Sequence, residues 1–164
     1  MFGRHSKSKA LIAAGAKAPE FRLAAMDGAA RTLDEILSRG PALLAFFKIS
    51  CPVCQMTAPY LERLAANSAI QVIGISQDDA DATRGFAKRF GLTLPLLLDS
   101  SDENYPASNA YGITSVPTMF LVEPDGNVSC SFPGFSKRDF EQIAARANVA
   151  VFAAGDHVPE WKAG

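Results

Sequence analysis

The sequence predicts an α/β fold in which a central mixed sheet is flanked by helices. Three observations predict it. Apolar runs of strand length, such as Ala42–Phe47 and Ile70–Ser76, alternate with segments whose apolar residues recur every three or four positions. A closing Asp125-Gly126 turn signal between two more apolar runs adds an antiparallel hairpin to the sheet's edge. The 164 residues are 48% apolar and 20% charged, enough for one well-filled core and unlike a disordered chain.

The elements follow in order. Ala18–Leu23 reads as a short extended segment that ends at the Asp27-Gly28 turn signal. Thr32 caps a short helix carrying Leu33, Ile36 and Leu37, which Gly40-Pro41 ends. Ala42–Phe47 is apolar throughout, as strands buried on both faces are. Val53, Met56, Tyr60, Leu61 and Leu64 line one face of the next helix. Pro52 suits its first turn, whereas Pro59 removes an internal hydrogen bond and predicts a kink. Ile70–Ser76 is a strand, and Asp79–Phe90 is a helix closed by Gly91. Pro95–Leu98 is a third strand, and Asn104–Tyr111 a short helix ended by Gly112. Thr118–Val122 and Val128–Phe132 form the hairpin. Ser136 with Asp139 opens a last helix that turns Phe140, Ile143, Ala144 and Ala147 inward. We divide the chain into a flexible segment at 1–14, one domain at 15–150, and a tail at 151–164 that docks on the domain or extends from it.

Charge and composition exclude several functions. Net charge is -1, and no run of like charge marks a nucleic-acid surface. Arg4, Lys7 and Lys9 read as a solvated start. No stretch approaches the roughly 20 apolar residues of a membrane span, so no membrane partner is expected. Ala10–Ala16 is too weak for a secretion signal and meets Lys17 at once, so a cytoplasmic location is expected. A trimmed, exported homologue would look similar.

Three cysteines, Cys51, Cys54 and Cys130, are too few and too odd in number for a disulfide framework. The close pair carries the chemistry. Cys51-Pro52-Val53-Cys54 lies where a buried strand passes into a helix. Cys51 then sits at the helix start, where unpaired N–H groups and the positive dipole end favour a thiolate. Cys54 lies one turn on, within reach of the first sulfur, so a mixed disulfide on Cys51 is resolved by Cys54. Two other readings compete. A zinc site needs about four ligands, and Cys130 with His157 or His5 offers poor spacing for the remainder. Two inert core cysteines are the other alternative. We expect no metal and no cofactor.

The stretch Phe46–Pro59 resembles the active-site segment of the thioredoxin superfamily: a strand, the paired cysteines, and a proline five residues after the second cysteine. Tyr111–Thr118 resembles that superfamily's cis-proline loop. Asp78–Tyr105 is similar to the helix-and-strand insertion of its redoxin branch, which holds TlpA-like disulfide reductases and peroxiredoxins, and Gly15–Phe21 resembles the opening of that branch. The resemblance runs from about Gly15 to about Ala147. It implies a thioredoxin-like fold and a thiol-disulfide oxidoreductase. It further implies a protein or small-molecule disulfide as substrate, and an upstream thiol donor. It places Pro117 in a cis bond against the sulfurs, with Val116 and Pro117 binding an extended substrate chain.

The sequence departs from the family at the proton acceptor. Ser50 replaces the usual Trp, Ala45 stands where thioredoxin has a buried acid, and Thr57 where TlpA-like reductases often have one. Lys48 is the nearest charge, and an exposed loop lysine is its simpler reading. Cys130 reads as a buried structural thiol on the face of Val128 and Phe132. Two other functions remain open. A peroxiredoxin-like antioxidant peroxidase needs Pro and Thr seven and three residues before its cysteine; counting back from Cys51 gives Leu44 and Lys48. A non-catalytic peptide-binding module would use the cis-proline groove alone.

Overall fold

The computed structural model describes residues 9–67 and 69–164. Arg4, His5 and Lys7 lie outside them. The strands are β1 Arg22–Ala25, β2 Ala30–Thr32, β3 Ala42–Phe47, β4 Gln71–Ser76, β5 Leu96–Leu98, β6 Thr118–Val122, β7 Val128–Pro133, β8 Phe135–Ser136 and β9 Trp161–Lys162. The helices are α1 Leu33–Leu37, α2 Pro52–Ala65, α3 Ala80–Phe90, α4 Pro106–Tyr111 and α5 Lys137–Ala147. Seven strands form one sheet in the order β2-β1-β5-β4-β3-β6-β7. At its centre β3 pairs parallel with β4 and antiparallel with β6, and β5 runs parallel to β4. The sheet is therefore mixed, with antiparallel strands at both edges.

The alternation of side chains along β3 divides the core. Leu43, Ala45 and Phe47 face the layer built on α2, α3 and α5. Ala42, Leu44 and Phe46 face the layer built on α1 and α4. Both faces of β3 are covered, which is why its sequence is apolar at every position. Gly74 in β4 leaves room at its centre: a Cβ there would stand 2.6 Å from Leu96 Cδ2 and 3.1 Å from Phe47 Cε1.

Helix starts obey local chemistry. The Thr32 side chain accepts from Glu35 N–H while Glu35 accepts from the Thr32 backbone, a complete capping box. The Asp79 and Ser136 side chains cap α3 and α5 with a single bond each, accepting from Ala82 N–H and Asp139 N–H. Helix α2 runs to Ala65 with Pro59 inside it. The short helix expected from Asn104 begins instead at Pro106. A residue before proline is driven away from helical angles, and Asn104 and Tyr105 take φ of 59° and 50°. The first hairpin was only half legible. Asp27-Gly28 turns the chain into β2, whose three residues carry no apolar run.

Cys130 requires a correction. Val128 packs into the α1/α4 layer, whereas Phe132 is buried in the α2/α3/α5 layer and Cys130 packs against that layer half-buried. The register shifts between Leu121 and Val122, which pair with Cys130 and Val128, so Ser129 is an extra residue. A bulge of this kind moves the following side chains to the other face. Outside the sheet, Ile12 N–H donates to Tyr111 O at 3.1 Å, and the Ala10 carbonyl fills the space beside Gly112. Residues 151–156 lie across α2: Val151 is buried, the Phe152 ring sits tilted against that of Tyr60 at 5.1 Å, and Asp156 pairs with Arg63 at 2.5 Å.

Candidate active site

Helix α2 begins at the carboxyl end of β3, and its first turn contains both close cysteines. Cys51 is the N-cap, with extended backbone at φ -81° and ψ 117°. Pro52 is the first helical residue, where an N–H has no helical partner anyway. Cys51 Sγ takes the place that a Ser or Asp oxygen holds in other caps: it accepts the N–H of Cys54 at 3.2 Å. That bond holds the Cys51 sulfur against the start of α2.

The cis Val116–Pro117 bond brings the loop before β6 against the same sulfur. The Cys51 thiol donates to Val116 O at 3.2 Å. Val53 is buried beneath, on the core side of the motif. The expected site residues Cys51, Pro52, Val53, Cys54, Val116 and Pro117 occur in one place.

The two thiols differ in environment. Cys54 is 2% exposed and Cys51 only partly buried. Burial pushes the Cys54 thiol far above its ordinary range, and its hydrogen bond with Cys51 adds to the effect. Cys54 is packed among Ala45, Thr57 and Gly74 around a void of about 10 Å³. Thr57, fully buried, donates its hydroxyl to Val53 O at 2.7 Å, so it satisfies the helix rather than a thiol. Lys48 is exposed. The nearby Asp78 carboxylate is engaged by the N–H of Ile49 at 2.8 Å, which pins the strand-to-helix turn.

Cys130 lies apart, in β7, its thiol 3.9 Å from Asp139 Oδ1. Burial, with the Asp139 carboxylate second, raises it to about 11. Among the described residues no group of three or more His, Cys, Asp or Glu gathers as a metal set. No helix among them is long and apolar enough to cross a membrane.

Sequence reasoning missed Asp99. It is fully buried and accepts from Ala107 N–H at 2.9 Å, Ser108 N–H at 2.7 Å and Ser108 Oγ at 2.6 Å. It thereby fixes the start of α4, which leads into the Val116–Pro117 loop. An acid just after an apolar strand was the one available signal.

A cysteine pair on the first turn of a helix, facing a cis-proline loop on a mixed sheet, defines a thioredoxin-fold protein. The chain belongs to the AhpC/TSA family, whose model matches residues 14–131, and within it to the thiol-disulfide oxidoreductases. It is 30% identical over 139 residues to the thiol-disulfide oxidoreductase ResA of Geobacillus thermodenitrificans, covering 82% of this chain and 78% of that one. The thioredoxin domain of a thiol-disulfide oxidoreductase from Bacteroides vulgatus superposes with a TM-score of 0.72 at 18% identity, over 84% of this chain and 99% of that one. The peroxidoxin BcpB of Mycobacterium tuberculosis shares the fold, with a TM-score of 0.67 at 24% identity over 83% and 94% of the two chains.

Proposed function

We propose that this enzyme reduces disulfides through Cys51 as attacking thiolate and Cys54 as resolving thiol. The observation that carries the assignment is the asymmetry of the pair: the partly exposed Cys51 sulfur accepts a helix N–H, while Cys54 is buried. In the first step the Cys51 thiolate attacks a substrate sulfur. A mixed disulfide forms, and the substrate's other sulfur leaves as a thiolate. In the second step Cys54 gives up its proton and attacks Cys51 Sγ. The Cys51–Cys54 disulfide forms, and the substrate departs with both its sulfurs reduced. An upstream dithiol then returns the two electrons.

Limited alkylation of the reduced enzyme near neutral pH, followed by peptide mapping, tests the roles. We expect label on Cys51, and first label on Cys54 would reverse the assignment. Cys54→Ser should trap a mixed disulfide with substrate, and Cys51→Ser should not. In the proposed cytoplasmic setting the thiol pool is reducing and drives the pair as a reductase. Equilibration against a glutathione series reads that direction.

The fold shared with a peroxidoxin favours one further reading, an antioxidant peroxidase. Leu44 is buried in β3 and Lys48 is exposed, so neither shields Cys51 nor orients a peroxide. We expect slow oxidation of Cys51 by hydrogen peroxide in stopped flow, as for an ordinary thiolate. A peptide-binding module without catalysis predicts instead that peptide binding outlasts removal of both thiols.

A further inference from the structure

The segment that follows Glu160 ends on the redox site. Trp161 and Lys162 form β9 and pair antiparallel with Ser136 and Phe135 of β8. The Glu160 carbonyl accepts from Lys137 N–H at 3.0 Å, which fixes where the strand starts. The chain then passes Gly134, whose φ of +71° and missing side chain leave space for the Lys162 carbonyl. At Gly164 it meets the Val116 carbonyl so closely that a Cβ at position 164 would overlap it. The same carbonyl accepts the Cys51 thiol. Residues 151–156 anchor this path through Val151, Phe152 and the Arg63–Asp156 pair.

An extended peptide that adds to a protein as an extra strand does so through main-chain groups at an open edge. Beside Cys51, the carbonyl of Val116 is the main-chain group presented at the edge of the loop. We propose that residues 161–164 occupy the strand-pairing edge of the active site and must be displaced by a polypeptide substrate. The segment is thus a specificity determinant. It resists protein disulfides while a small disulfide still reaches Cys51. It is held weakly enough to move: Lys162, Ala163 and Gly164 are exposed, and Trp161 leaves 58% of its surface in solvent. This inference rests on the disulfide-reductase reading above.

The test compares the full chain with Gly164→Leu, whose side chain cannot approach the Val116 carbonyl, and with Lys162→Pro, which removes an N–H from β9. Two substrates are used, insulin and bis(2-hydroxyethyl) disulfide, together with two thiol probes for Cys51, a polymer-linked maleimide and iodoacetamide. If the edge is open in about a fifth of molecules, freeing it raises the rates with insulin and polymer-linked maleimide by about fivefold. The small disulfide and iodoacetamide should change far less. Equal change for large and small reagents, or none for the large ones, overturns the proposal. If the unaltered enzyme reduces neither disulfide, the reductase reading fails, and the two alkylation rates still decide whether the segment covers the thiol.

Discussion

At the scale of single residues, the proposed mechanism makes Cys54 the group that sets the timing of the reaction. Its thiol must ionise before it can resolve a mixed disulfide, yet burial holds it neutral and no carboxylate hydrogen-bonds to it among the described residues. The thiolate fraction then rises about tenfold per pH unit below its titration point. Single-turnover resolution of a mixed disulfide on Cys51 should therefore accelerate with a slope near one from pH 7 to about pH 9 on a logarithmic plot. A flat profile would reveal a proton acceptor that Ala45 and Thr57 do not supply. The same group links stability to pH. In the unfolded chain the thiol ionises near its ordinary 9.0, whereas in the fold it stays protonated. Above about pH 9 the folded chain holds more protons, so stability falls as pH rises. Urea melts of the reduced enzyme at pH 8 and pH 10 should show that loss, and Cys54→Ala should reduce it. Cysteine spacing and Pro117 were legible because the chemistry demands those residue types in those places. Val116 was reached only through the family resemblance, since what it offers is a main-chain carbonyl that every residue has.

At the scale of elements, α4 shows where local signals end. Helices α1, α3 and α5 are opened by Thr32, Asp79 and Ser136, each adjacent in sequence and readable by its position. Helix α4 has Tyr105 at its N-cap, with no side-chain hydrogen bond. Asp99 supplies the acceptors from a strand end several residues upstream. That contact depends on tertiary placement, which no sequence period encodes. Removing it strands two buried N–H groups and a hydroxyl. Asp99→Ala should lower unfolding free energy by about 3 kcal/mol in urea melts. Because α4 leads into the Val116–Pro117 loop, the variant should also slow insulin reduction. Wild-type turnover in a folded variant would show that the loop holds its shape without α4.

For the whole molecule, alternation of strands and helices was enough to read the class of fold but not the sheet order. The β1–β5 pairing joins Ala24 to Leu98 across most of the insertion, and β8–β9 joins two pairs of residues with no strand pattern. Such pairings follow from what each face must bury. Polar ties across the molecule add little by comparison. Arg146 of α5 grips both oxygens of Glu123 beyond β6, and this hydrogen bonding holds the Glu123 carboxyl below its ordinary 4.5. The stabilisation is full above that value and is lost as pH falls through the lowered one. With Arg146 about half exposed, Glu123→Gln should cost under about 1 kcal/mol at pH 7. The difference should shrink in high salt and vanish in acid, and a larger or salt-independent loss would point to a packing role.

The contact of Ala10 and Ile12 with Tyr111 and Gly112 bears on how the enzyme is handled in the laboratory. It braces the start of the loop that reaches Cys51, while Gly164 rests on the end of that loop. An affinity handle or fluorescent fusion that strains either contact should therefore disturb the proposed redox site. Potentials and turnover measured on handle-bearing preparations should differ from those on the same chain after the handle is cleaved. A reporter is better placed beside Ala66, at the far end of α2.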